Sequence, residues 1–236
     1  MHLKASHISK SFRALRGVHH VLRDFSFDVK SGECVGLVGP NGCGKTTFFH
    51  ILTGLACPDS GEIEVDDKKI PSQPQEIFSL LPEQPRLPKY TSGRDILKEY
   101  AIFSGLSPDE INERMNSLDS LFQLSMFWDK PSLHYSRGQA CLLSLARLAL
   151  DPKDFLLLDE PTNGLDFETS KKVYSWIDGQ LSDGKGVVVA THLIGDLMSI
   201  TSRQFGVREG MNVSQSEVAS WMKKFQSPHN SGGGDV

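Results

Sequence analysis

The stretch Cys34-Val35-Gly36-Leu37-Val38-Gly39-Pro40-Asn41-Gly42-Cys43-Gly44-Lys45-Thr46 decides the reading of this chain. Its first five residues form a short, continuously apolar run, as expected of a central strand buried on both faces. The next eight fit G-x-x-x-x-G-K-[ST] and lie where that motif must lie, between a buried strand and a helix. Glycines there let main-chain N–H groups converge on phosphate oxygens, and the helix N-terminus adds a favourable dipole. Lys45 would supply a point charge to the β- and γ-phosphates, and Thr46 a hydroxyl ligand to Mg²⁺. An ordinary glycine-rich turn is the alternative, but this residue set at this spacing arises by chance in roughly one chain in a hundred of this length.

Upstream, Leu3, Ala5, Ile8 and Phe12 suit an opening strand, and Val21, Phe25, Phe27 and Val29 keep a period near two that suits a second. Downstream, Ile63 and Val65 carry a strand ahead of Asp66-Asp67, and the five prolines from Pro71 to Pro88 predict mostly loop. From about Tyr90 to Leu150 the texture is helical, with Ser107-Pro108-Asp109-Glu110 as a capped helix start. From Phe155 strands return, since Phe155-Leu156-Leu157-Leu158 and Val187-Val188-Val189-Ala190 are apolar runs separated by a helical segment around Lys171 to Leu181. This βα alternation predicts an α/β fold: a mostly parallel sheet covered by helices, an N-terminal antiparallel β region, and a helical subdomain inserted over about 90–150. The main domain is expected over 1–210 and a short helix over 211–226. Ser214 and Ser216 would cap that helix, and Val218, Trp221, Met222 and Phe225 would pack on the chain's own domain. A polar, glycine-rich tail over 227–236 is expected to be disordered.

The chain has 236 residues and a formal net charge of −4. That length supports a core without metal or disulfide, and the spread of charge argues against nucleic acid as a partner. The four cysteines, Cys34, Cys43, Cys57 and Cys141, form no CxxC pair and read as reduced thiols of a cytosolic protein. No apolar run approaches the roughly 18 residues of a membrane span, so a chain neither secreted nor membrane-spanning is expected.

A second chemical motif follows the strand at 155. Asp159-Glu160 ends an apolar run, and a carboxylate at the C-terminal end of a parallel strand points into the crevice where α/β sheets bind ligands. Asp159 can therefore hold the Mg²⁺ shell, and Glu160 can orient and deprotonate a water for in-line attack on the γ-phosphate. Further motifs occur in order: Leu80-Leu81-Pro82-Glu83-Gln84-Pro85, Tyr135-Ser136-Arg137-Gly138-Gln139, Pro161-Thr162-Asn163-Gly164-Leu165-Asp166 and Val189-Ala190-Thr191-His192.

In that order and spacing the chain resembles the ATP-binding cassette (ABC) ATPases over roughly residues 1 to 210. The resemblance implies ATP and Mg²⁺ as cofactors, with Gly39, Pro40, Asn41, Gly42, Cys43, Gly44, Lys45, Thr46 and Thr47 around the phosphates. Phe12 matches the aromatic that stacks on adenine, with a core phenylalanine at a strand end as the alternative. Ser136, Gly138 and Gln139 match the signature that meets the γ-phosphate held by the opposite subunit of a head-to-tail dimer, and Ser136 would also cap the following helix. His192 matches the switch histidine that contacts the γ-phosphate, and Asp166 the residue that links the two sites. The signature departs from the family's LSGGQ type at Tyr135 and Arg137. In the glutamine loop Glu83 takes the usual glutamine position and Gln84 follows it; either could reach Mg²⁺ and the attacking water. These departures weakly resemble the drug- and haem-exporter branch.

The function implied is a Mg-ATP hydrolysing subunit, cytoplasmic and peripheral on the membrane, that pairs with itself or a similar ATPase and drives a separate transmembrane permease. A soluble ATPase of a non-transport assembly, such as an iron–sulfur cluster scaffold, is the alternative. The resemblance also places the permease's docking groove along Leu80 to Phe103, with Leu87, Tyr90, Ile96 and Phe103 as apolar lining, at least two of them expected to be buried.

Overall fold

The computed structural model describes residues 1–14, 17–70, 74–150, 153–192 and 200–226; within the last segment, side chains are described as far as Trp221. The tail over 227–236, and Met222 and Phe225, therefore lie outside what is described. Two sheets enclose a helical layer. The first is antiparallel, in the order β2 (Gly17–Lys30), β1 (His2–Ala14), β4 (Ser60–Val65), β5 (Lys68–Lys69). The second runs β10 (Met211–Asn212), β9 (Arg203–Arg208), β3 (Cys34–Val38), β8 (Gly186–Thr191), β7 (Phe155–Asp159), β6 (Phe78–Leu81). All of its described pairings are parallel except β10 with β9.

Strand alternation sorts the core into two layers. Val35, Leu37, Phe155, Leu157, Val188 and Ala190 share a core with Phe48 and Phe49 of α1 (Lys45–Leu52), and Phe48 meets Phe25 and Phe27 of the antiparallel sheet edge-on. Their neighbours Leu156, Leu158, Val187 and Val189 face the other way, toward α4 (Arg137–Leu150) and α5 (Phe167–Ser182). Every residue of β3, β7 and β8 is buried, which is why these strands read as continuous apolar runs instead of alternating ones. α2 (Gly93–Phe103) and α3 (Pro108–Phe122) pack with α4 through Ile96, Leu97, Ile111, Met115 and Phe122, and no extended strand is described between 90 and 150. The capping box at Ser107 forms as expected: its hydroxyl accepts from the Glu110 N–H while the Glu110 side chain takes the Ser107 N–H.

Three details go beyond the expectations. Within the stretch expected to be mostly loop, Phe78–Leu81 pairs with Phe155–Leu158 as the edge strand β6. The short helix expected over 211–226 begins later, because Met211–Asn212 pairs with β9 as β10 and the last helix, α6, covers Gln215–Gln226. The helical segment predicted around Lys171 to Leu181 extends four residues further upstream, to Phe167. Ser214 caps α6 by accepting from the Glu217 N–H at 3.2 Å, and Val218 and Trp221 pack over Gly206 of β9, so this helix covers its own sheet.

Candidate functional site

The chemistry gathers at the C-terminal ends of the parallel strands. β3 hands the chain to a loop that turns at Gly42 and Gly44, with φ of 79° and 114°, values that suit glycine. A Cβ on Gly39 would lie 2.2 Å from the Val207 carbonyl oxygen and 2.7 Å from Cys43 Sγ, so the loop is seated directly on β9. α1 then begins with no side-chain cap, which leaves its first N–H groups for a ligand. Lys45 is 7% exposed, and its ammonium donates to the carbonyls of Gly39 at 2.7 Å and Pro40 at 3.3 Å. Cys43 is buried beneath the loop and burial pushes its thiol up, the opposite of an activated helix-start thiol.

Asp159 ends β7 and accepts from the Thr46 hydroxyl at 2.5 Å. Burial holds its carboxyl above the usual carboxylate range against that hydrogen bond, and the charges of Glu160 and Glu83 add to the rise while Lys45 opposes it. Glu160 follows with φ of 52°, a left-handed conformation that strains a glutamate. Its N–H donates to the Ala190 carbonyl at 2.8 Å. Its carboxylate accepts from the Thr191 hydroxyl at 2.7 Å and the His192 N–H at 2.9 Å, and lies 2.6 Å from His192 Nδ1. The strained turn thus aims a buried carboxylate at the mouth of the loop.

Asn41, Gly42, Gly44, Lys45, Thr46, Thr47, Glu83, Asp159, Glu160 and Val21 line one cleft of about 290 Å³. Glu83 is on its wall and Gln84 is not. Ser136, Gly138, Gln139 and Asp166 line a second cleft of about 340 Å³ that shares no lining residue with the first. There Ser136 and Gln139 cap reciprocally, Ser136 Oγ accepting the Gln139 N–H and Gln139 Oε1 the Ser136 N–H, both at 3.1 Å. Asp166 caps α5 by accepting from the N–H and hydroxyl of Thr169, and those bonds hold its carboxyl below the usual range. Phe12 lies outside both linings, 45% exposed on β1 with Lys10 Nζ 5.2 Å from its ring centroid. Of the four groove residues only Ile96 is buried; Leu87 is partly covered, and Tyr90 and Phe103 are exposed. The expectation that at least two would be buried is corrected to one.

Sequence reasoning missed Val21 as a cleft residue, having read it only as part of a strand, and Thr191 as a partner of Glu160. The signal for Thr191 was a hydroxyl closing an apolar strand directly before a histidine. Among the described residues no cluster of three or more His, Cys, Asp or Glu could hold a metal by itself. Thr46 and Asp159 offer instead two hard oxygen donors beside a phosphate loop, a set that suits Mg²⁺ completing its shell with phosphate and water.

The family profile described as ABC transporter matches residues 22–163. The chain belongs to the ABC transporter family. It is 34% identical over 214 residues to the lipopolysaccharide export system ATP-binding protein LptB of Acidithiobacillus ferridurans, covering 88% of this chain and 87% of that protein. It is 31% identical over 198 residues to the Nod factor export ATP-binding protein I of Burkholderia orbicola (strain AU 1054), covering 83% of this chain and 65% of that relative's length. In fold this ABC cassette is similar to a dimeric structure of the ATP-binding cassette MJ0796 in a post-hydrolysis state bound to ADP and Pi, with a TM-score of 0.81, 24% identity, and coverage of 90% of this chain and 97% of that one. Among the described residues, no helix of the cassette is long and apolar enough to cross a membrane.

Proposed function

We propose that this cassette binds Mg-ATP in the cleft between α1 and the ends of β7 and β8, hydrolyses it within a head-to-tail pair of cassettes, and powers an export permease carried on another chain. The observation that carries the reading is the convergence of Lys45, Thr46, Asp159 and Glu160 on one cleft beneath a glycine-built loop. Loop and helix N–H groups bind the phosphates, and Lys45 exchanges its two carbonyl partners for phosphate oxygens. Bound Mg²⁺, held by Thr46 and Asp159, would neutralise charge on the β- and γ-phosphates. Glu160 accepts the proton of the attacking water, and His192, already against that carboxylate, orients it toward the γ-phosphate.

Ser136, Gly138 and Gln139 line a different cleft of the same chain, which supports their use on a partner's nucleotide. The names of the relatives, ATP-binding proteins of export systems, favour transport over a cluster-assembly scaffold. A peripheral position on the cytoplasmic face follows from that partnership, with Tyr90 and Phe103 as exposed apolar contacts for the permease. The test is purification of the full chain from native membranes in detergent, with Mg-ATP hydrolysis and ATP-dependent dimerisation measured on the product. A multi-span membrane protein should copurify. Recovery of soluble partners alone would overturn the transport reading, and absence of nucleotide binding would overturn the whole of it.

A further inference from the structure

Arg137 stands where a cation is least at home, at the first position of α4, in a helical turn that carries no acidic residue. The positive end of the helix dipole disfavours it there, so local structure does not account for it. Its guanidinium reaches instead to Glu83, 54 residues away, with Nη2 3.3 Å from Oε1. Its stem lies along the turn after β7: a Cβ on Gly164 would meet Arg137 Cδ at 3.2 Å. One side chain therefore touches the loop after β6, the turn after β7 and the start of α4. Glu83 is also on the wall of the nucleotide cleft with Thr46 and Asp159, and its charge is felt at Asp159. The pair is about half exposed on both sides, 48% for Arg137 and 45% for Glu83, so it is screened by solvent and easily exchanged.

Resting on the ATP-binding reading above, we propose that Arg137 is a positioning residue whose ion pair holds the Glu83 carboxylate away from the cation position of the cleft, so that Mg-nucleotide must compete with the guanidinium for Glu83. Binding of cation and nucleotide then loosens the tie between the nucleotide cleft and the N-terminus of α4. The state of the cleft is passed to the signature turn through a contact within one chain. Ser136 and Gly138, on either side of Arg137, are freed to reposition as that tie opens.

The experiment is an equilibrium titration of the full chain with a fluorescent ATP analogue, with and without Mg²⁺. The quantity read is the gain in affinity that Mg²⁺ confers, compared among wild type, Arg137→Gln, Arg137→Lys, Glu83→Gln and the Arg137→Gln/Glu83→Gln double variant. Arg137→Gln should raise the gain about two- to fivefold, the range of a partly exposed ion pair. Arg137→Lys, which keeps the charge, should restore most of the wild-type value, and Arg137→Gln should have no effect once Glu83 is Gln. In wild type, raising salt from about 0.05 to 0.5 M should increase the gain more than it does in Arg137→Gln. An unchanged gain in Arg137→Gln, or an equal change with and without Glu83, would overturn the proposal while leaving the ATPase reading intact. A wild-type chain that binds no nucleotide would overturn both.

Discussion

Glu160 combines a left-handed backbone with a carboxylate that is hydrogen-bonded at both oxygens, and strain of that kind persists only where neighbouring strands over-determine it. Substituting Gln preserves the geometry, since Oε1 can face the His192 N–H and the amide can donate to the Thr191 hydroxyl, yet it removes the proton acceptor. Glu160→Gln should retain nucleotide affinity while single-turnover hydrolysis falls about 10²-fold or more; ordinary turnover in this variant would refute the assignment. Asp159 makes a prediction of opposite sign for stability. Its folded pKa lies above the unfolded value, so the associated stability is complete below the unfolded pKa and lost as pH rises through the folded one. At neutral pH the buried charge is thus a cost in the nucleotide-free protein. Asp159→Asn, still able to accept from Thr46, should raise the nucleotide-free Tm by about 2–4 °C for each kcal/mol relieved, and should abolish the Mg²⁺-dependent gain in nucleotide affinity. A lower Tm by scanning calorimetry would contradict the burial argument.

Tyr135 replaces the leucine usual at its position and acts between elements. Its hydroxyl accepts the Gly93 N–H at the start of α2 at 2.9 Å, its ring packs edge-on against Phe127, and a Cβ at Gly93 would fall 2.3 Å from that hydroxyl. Tyr135→Phe leaves the Gly93 N–H partnerless and should cost about 1–2 kcal/mol, seen as a lower urea midpoint at unchanged m-value. No change in midpoint would mean that the bond is replaced by water. What was legible at this scale follows from burial: β3, β7 and β8 are enclosed on both faces, so their apolar runs stop where a loop must present Gly39, Asp159 or His192, and motif and strand end coincide. β6 was hidden because Phe78-Ser79-Leu80-Leu81 is four residues between prolines and becomes a strand only by pairing with β7. β9 was hidden because Arg203 and Arg208 disguise it, their charges answered by Asp28, Glu33 and Glu217 from elsewhere in the chain. The choice between Glu83 and Gln84 depends on which way one turn faces, and no local pattern encodes that.

Across the whole molecule, Arg203 joins the parallel sheet to the antiparallel one by donating to both Asp28 and Glu33. The Arg203 hydrogen bond holds the Asp28 carboxyl below its ordinary value against partial burial. For Glu33, burial pulls upward, but Arg203 and the Lys30 N–H outweigh it. Depressed carboxylates contribute stability above their unfolded pKa and lose it as pH falls through the folded value. Wild type should therefore lose Tm steeply on acidification below about pH 4. Arg203→Met should begin lower at neutral pH and lose less over the same acid range; parallel curves would show that the cluster is not the acid-sensitive element. The strand order also bears on how the protein is made. β3 ends at Val38, yet its two neighbours begin only at Gly186 and Arg203. As the chain leaves the ribosome, an entirely apolar strand with its attached phosphate loop must wait until Gly186 and the residues after it have been made before either edge is paired. Nascent chains arrested before Thr191 should accordingly stay bound to chaperones or aggregate, and the phosphate loop, seated at Gly39 on the Val207 carbonyl, can take its final place only after β9 has been made.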